Sequence, residues 1–296
     1  MVFSTAGVPA ARRVELWEAH NAAALVGLNV HATAPLRATE VNVQLSGLRL
    51  ARVAASAHVV ERDAAMIGRV PADSVAVYLT LRGDAWFRQR DSTLLLRPGN
   101  ALVCETDRPF ARGFSRGLEE LVVTVPHTVL DAPAARQPVV AEFGKADLYA
   151  TALAKLAARA TRRDCPVRPD EPAVRELVAV LIAGTRAARP AAYRAAARSF
   201  IEDNLTDPGL GADQVAAAIG ISGRHLSRVF ADGGTSVPRH ILSRRLELAY
   251  AMLTSAAGAT VADIAARCGF VSETYFSHVF CGHYRQRAGD LLRASF

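Results

Sequence analysis

The stretch "VAAAIGISGRHLSRVF" (Val215 to Phe230) returns about fifty residues later as "IAARCGFVSETYFSHVF" (Ile264 to Phe280), and this pair decides how the C-terminal third of the chain is read. The blocks "VAAAIGI" and "IAARCGF" align at an offset of 49, and "LSRVF" and "FSHVF" at an offset of 50, so the second copy carries one inserted residue between them. In each copy a short predicted helix ends at a glycine, Gly220 or Gly269, where a positive φ costs least. A serine suited to cap the next helix follows, Ser222 or Ser272. Leu226, Val229 and Phe230 then fall at i, i+3 and i+4, as do Phe276, Val279 and Phe280, giving each second helix one apolar face. What repeats is core and turn; what differs points outward. This is the layout of two helix-turn-helix units, whose second helices present their N-terminal residues to base edges in the major groove.

The outward positions are the candidate DNA contacts. In the first copy they are Ser222, Gly223, Arg224, Ser227 and Arg228, and in the second Ser272, Glu273, Thr274, Ser277 and His278. Arginine reads guanine through O6 and N7, glutamate accepts from cytosine N4, and a threonine methyl meets the thymine methyl. For each arginine the competing reading is a solvated surface charge. Residues 191–296 carry 11 Arg against 9 Asp or Glu, so the domain total alone does not point to DNA. The local cluster does: Arg224, Arg228, Arg239, Arg244 and Arg245 stand against Asp232 alone between 222 and 245. Arg239, Arg244 and Arg245 have two open readings, phosphate contacts or helix-helix ion pairs. Between the copies, Pro238 to Thr254 reads as one helix with Leu242, Leu246, Ala249 and Leu253 on a face. At ~1.5 Å per residue it spans about 25 Å, a separation suited to two successive major grooves.

From about Phe200 to Phe296 the chain resembles the double helix-turn-helix of the AraC/XylS family of transcription regulators. The words that carry the resemblance are "FIEDNL", "VAAAIGISGRHLSRVF", "GTSVPRHI", "RRLELAYAMLTS" and "VADIAARCGFVSETYFSHVF". It implies a sequence-specific DNA-binding regulator with Arg224, Ser227 and Arg228 among its contacts, and an activator that works with RNA polymerase. His278 stands where the family often has arginine, so the second half is expected to bind more weakly or to depend on pH. Where the family carries a glycine and a proline after the second recognition helix, this chain has "YRQRAGDLL" with Arg285 and Ala288. The last helix is therefore expected to start differently.

Upstream, Val41 to Pro126 alternates apolar and polar letters in short runs such as "VNVQL", "LRLARV", "VAVYLTL", "ALVCET" and "LEELVVTVP", the pattern of an antiparallel sandwich or barrel. "RRVELWEAHNAAALVGL" before it reads as a helix, and 146–160 and 172–188 as two more. From about Val14 to Leu130, "LLRPGNALV" and "TDRPF" above all, the chain resembles the cupin-like sensing domain of AraC-type regulators. That resemblance implies a β-barrel pocket for an unidentified small-molecule effector, with nearby helices forming a homodimer. Arg82, Trp86, Phe110 and Phe114 are the candidate pocket residues, the aromatics serving equally well as plain core. Arg82, Arg108 and Arg112 have the chemistry to hold a carboxylate, or are simply solvated.

The expected architecture is α+β: a cupin-like antiparallel β-barrel with flanking helices over 1–130, a helical dimerisation and linker region over 131–190, and an all-α double helix-turn-helix domain over 191–296. Composition agrees with a globular protein: 51% of residues are apolar, 21% charged, and the formal charge is +7. No apolar run reaches the roughly 18 residues of a membrane span, and "MVFSTAGVPAARR" lacks a secretory pattern; a cytoplasmic, nucleoid-associated protein is expected. Cys104, Cys165, Cys268 and Cys281 form no CxxC pair, and His20, His31, His58 and His127 no HxH pair, so neither metal nor cofactor is expected. Two alternatives stay open, a cupin-type enzyme or a methyl-accepting repair protein held on DNA by the helices, the latter through Cys104 or Cys165.

Overall fold

The computed structural model describes residues 1–130, 135, 137–144, 147–162, 169–183, 189–255 and 259–294. They form two compact units, the first running to Ala192 and the second starting at Tyr193. In the first unit the order is β1 (Val2–Ser4), α1 (Arg13–Ala24), β2 (Asn29–His31), β3 (Ala38–Gln44), β4 (Arg49–Ala55), β5 (His58–Arg62), α2 (Ala64–Arg69), β6 (Ser74–Arg82), β7 (Ala85–Gln89), β8 (Ser92–Leu96), β9 (Asn100–Glu105), β10 (Phe110–Phe114), β11 (Leu118–Pro126), β12 (Val139–Glu142), α3 (Leu148–Ala160) and α4 (Glu171–Ala183).

The strands form two antiparallel sheets, one of seven in the order β1-β3-β4-β11-β6-β9-β12 and one of five in the order β2-β5-β10-β7-β8. The expected closed barrel is corrected to a two-sheet cupin-like sandwich. The chain changes sheets at Gly83-Asp84, at Arg97-Pro98-Gly99, at 106–109 and at 115–117, where glycine, proline and turn residues interrupt the ladder. Each strand therefore satisfies its backbone inside its own sheet, and no ladder joins the two sheets among the described residues.

Alternation along β11 shows how the layers arise. Leu118, Glu120 and Val122 face the space between the sheets, whereas Leu121, Val123 and Val125 face the other way, and all six are buried. α3 packs against β4 and β11, and α4 against α3, so the outer face of the large sheet is covered by helices. A strand buried on both faces reads as the near-continuous apolar run "LVVTVP". Between the sheets, Trp17, Phe87, Leu96, Leu102, Phe110, Phe114 and Val122 belong to one core cluster.

α5 (Arg189–Asp203) spans the division. The second unit continues with α6 (Ala212–Ala218), α7 (Gly223–Ala231), α8 (Val237–Ser255), α9 (Val261–Arg267), α10 (Glu273–Tyr284) and α11 (Ala288–Ala294). Where the family's glycine gives way to Arg285, that residue takes the left-handed conformation, φ 56°, that ends α10. Ala288 nonetheless opens α11 and is buried with Leu291 in the core built on α8, α9 and α10.

Candidate nucleic-acid interface

Both helix-turn-helix units are built by the same local chemistry. α6 and α9 each end at the left-handed glycine of the turn, Gly220 at φ 70° and Gly269 at φ 82°. Ser222 Oγ then accepts from the His225 amide at 3.2 Å and Ser272 Oγ from the Tyr275 amide at 3.2 Å, capping α7 and α10. Leu226, Val229 and Phe230 anchor α7, and Phe276 and Phe280 anchor α10, all at 1% exposure or less. With the inner face so fixed, Arg224, Ser227 and Arg228 on α7 and Glu273, Thr274, Ser277 and His278 on α10 are exposed. Ser222 and Ser272 are exposed too, and Gly223 is half-buried at the first turn of α7. α9 starts with a reciprocal cap, Thr260 Oγ1 accepting from the Asp263 amide at 3.1 Å while Asp263 accepts from the Thr260 amide at 3.1 Å.

The three arginines of α8 part company. Arg239 is exposed near the start of the helix. Arg244 is buried and paired with Glu202 of α5 and Glu247 of its own helix, the ion-pair reading. Arg245 departs from its expected place among the DNA contacts: its Nε donates to the Leu205 carbonyl at 3.0 Å and Nη2 to the Asp207 carbonyl at 2.6 Å. These bonds make it a strut within the unit. The sequence left Arg244 and Arg245 open between phosphates and ion pairs because a helix pattern shows one helix and not its neighbours. Two exposed apolar residues at the start of α10, Val271 and Tyr275, escaped that reading as well.

In the first unit the candidate pocket residues separate. Arg82 is exposed at the end of β6, its Nε 3.5 Å from Glu119 Oε2. Trp86 is on the outer face of the small sheet, where Gly113 leaves room for the indole; a Cβ there would come within 2.2 Å of the ring. Both are thus corrected, since alternation sends Trp86 away from Ala85 and Phe87. Phe110 and Phe114 do face the interior, Phe110 stacked on Phe87 at 5.6 Å and Phe114 against His58 at 4.9 Å. Beside them the interior holds Arg112, which is buried rather than solvated, and three groups not anticipated, the carboxylates Glu120 and Glu40 and the hydroxyl of Tyr78. The signal was present in "FARGF" and "LEELVV", where a charged letter falls on the apolar phase of a strand. The four upstream histidines lie apart, His20 by Glu40, His31 by Glu61, His127 by Glu105, and His58 on the Ser56 carbonyl. Among the described residues no three His, Cys, Asp or Glu side chains gather in a metal-binding group, and no helix is long and apolar enough to cross a membrane.

Comparison with known proteins matches both units. Residues 17–200 match the AraC-binding-like domain and residues 215–294 the Helix-turn-helix domain. The transcriptional activator NphR of Rhodococcus sp is 27% identical over 251 residues, covering 79% of this chain and 74% of NphR. The transcriptional activator RhrA of Rhizobium meliloti (strain 1021) is 34% identical over 94 residues, 31% of this chain and 30% of RhrA. The crystal structure of the AraC-like transcriptional activator CuxR shares the fold with a TM-score of 0.50, at 20% identity, over 90% of this chain and all of that one. With an AraC-binding-like domain over more than half its length and a helix-turn-helix domain after it, the chain belongs to the AraC family of DNA-binding transcription regulators.

Proposed function

We propose that the protein is a transcriptional activator that reads an asymmetric promoter site through α7 and α10 in two successive major grooves, under control of a small molecule held by the first unit. The observation that carries this is the pairing of matched caps and buried anchors with unmatched outward faces: Arg224, Ser227 and Arg228 on one helix, Glu273, Thr274, Ser277 and His278 on the other. Two copies of one scaffold with different exposed letters suit two sites of different sequence. Ser222, Gly223 and Ser272 bring backbone donors at the helix starts to phosphates, and Arg239 adds charge there. Helices α3 and α4 serve a homodimer, the DNA-bound unit meets RNA polymerase, and the protein works in the cytoplasm on the nucleoid.

Chemistry at the first unit has less support. Cys104 is buried and its thiol pushed up to about 12 by burial, unsuited to accept a methyl group at neutral pH; Cys165 lies outside the described residues. The test is genome-wide recovery of DNA bound to the tagged full chain, followed by titration of the best site at two salt concentrations. Two boxes about one helical turn apart support the double reader. Binding without sequence preference that collapses with salt means that the arginines only neutralise phosphates, and overturns it.

A further inference from the structure

Between the two sheets of the first unit lies a cavity of about 30 Å³, room for roughly one water-sized group. Arg112 and Glu120 line it as a charge-neutral pair, Nη1 donating to Oε1 at 3.0 Å and Nη2 to Oε2 at 2.6 Å. The Arg112 guanidinium also lies 3.7 Å over the Tyr78 ring, whose buried hydroxyl has no partner. His58 donates from Nδ1 to the Ser56 carbonyl at 2.7 Å, and burial holds its pKa below the ordinary value.

Glu40 breaks this balance. It is 0% exposed, and neither carboxylate oxygen is hydrogen-bonded. Around it stand His20 from α1, with Nε2 at 3.4 Å, and Asn42 of its own strand, whose amide nitrogen is engaged by that same ring nitrogen at 2.9 Å. Phe3 of β1 stacks on the His20 ring, and Glu120 adds a like charge from β11. No arginine pairs with Glu40 among the described residues. Burial, which Asn42 partly offsets, pushes its carboxyl up to about 7. The register explains the position: Glu40 is opposite Val53 on β4, and Val53 is opposite Glu120 on β11. At ~4.8 Å between strands, the two carboxylates flank Val53 on one face of the sheet, and Val53 lines the cavity.

We propose that the cavity takes the ammonium group of a small primary amine, seated over Val53 between Glu40 and Glu120. The amine's apolar body passes Leu25 and Val26, which line both this cavity and a neighbouring cleft of about 440 Å³. This rests on the reading of the first unit as a sensor and names the chemical class it senses. Charge selects the amine: Arg112 and Glu120 already neutralise each other, and Glu40, held protonated by burial, ionises once an ammonium ion is there to pair with it. A carboxylate ligand brings a like charge, and an alcohol brings no cation to hold Glu40 ionised. Trp17 and Phe114, both lining the cavity, add ring faces that attract a cation. In the cleft, the buried and unpartnered Thr124 hydroxyl is free to bond a polar group on the body.

The test is calorimetric titration of the full chain at pH 6 with ethylamine, benzylamine and 2-phenylethylamine, each beside the alcohol and carboxylate of the same skeleton. At least one amine is expected to bind at least tenfold tighter than its alcohol. Two buffers of different ionisation heat should show a proton released as Glu40 ionises. Glu40→Gln should weaken that amine at least tenfold while melting at pH 6 no lower than the native protein, and Val53→Ile, which fills the cavity but keeps both carboxylates, should weaken it as well. Amines binding no tighter than their alcohols, or a folded Glu40→Gln protein that binds them equally well, overturns the assignment. An alcohol or carboxylate that binds instead and shifts DNA affinity overturns it too, while leaving the sensor reading intact. If nothing in the series binds, the amine proposal falls and DNA recognition by the second unit stands on its own titration.

Discussion

Gly269 lies directly under Arg245: a Cβ at position 269 would come 3.0 Å from Arg245 Nε and 3.0 Å from the Leu205 carbonyl that this nitrogen binds. The second turn is thereby clamped between α8 and the residues that follow α5. Gly220 occupies the matching turn with a similar φ, yet no atom lies within 4 Å of its would-be Cβ. Gly220→Ala should therefore cost only the left-handed backbone, about 1 kcal/mol, whereas Gly269→Ala should cost about 3 kcal/mol by adding the displaced contact. Urea denaturation of the two variants measures the difference, and equal losses would contradict the clamp.

The serine caps give a second comparison. Ser222→Ala and Ser272→Ala each remove one acceptor from the first turn of a recognition helix and should lower stability by about 1 kcal/mol. Substitution by Asp should restore it in a thermal melt.

On DNA, Arg228 and His278 occupy equivalent exposed places in the two copies. Arg228→Ala should weaken binding to the recovered site by ~1–3 kcal/mol, and His278→Ala by less. A quantitative titration on one duplex decides it; equal losses would mean the two halves do not differ as their letters suggest.

Arg285 holds a left-handed conformation at the end of α10 with its side chain exposed. Arg285→Gly should raise stability by about 1 kcal/mol, since glycine adopts this backbone without the Cβ penalty. Differential scanning calorimetry reads this as a higher Tm.

Glu40 makes stability depend on pH. Its carboxyl is raised by burial from the ordinary 4.5 to about 7, so between these values the folded state binds more protons than the unfolded one. Its contribution is fully present below about 4.5 and is lost as pH rises through about 7. Glu40→Gln, which mimics the protonated group, should match the native protein at pH 4.5 and exceed it at pH 8 by on the order of 3 kcal/mol. Stability curves that stay parallel across this range would show that Glu40 is ionised in the folded state throughout.

Local rules made the second unit legible in the sequence. The spacing of Leu226, Val229 and Phe230, the glycines 220 and 269 and the serines 222 and 272 are short-range devices, and each acts within its own turn of chain. The same holds for the run "LEELVVTVP", whose alternation marked a strand. The strand over Val139–Glu142 and the helix over Ala64–Arg69 lacked such a signature and were missed. Whether the strands close into a barrel was equally out of reach, because pairing joins residues far apart in sequence. Tertiary structure alone decided that Arg245 spends its donors on Leu205 and Asp207, that Trp86 points outward over Gly113, and that Glu40 and Glu120 share one face across Val53. A helix wheel or a strand alternation says which way a side chain leaves its own backbone; which carbonyl, ring or carboxylate waits there is set by the elements that pack against it.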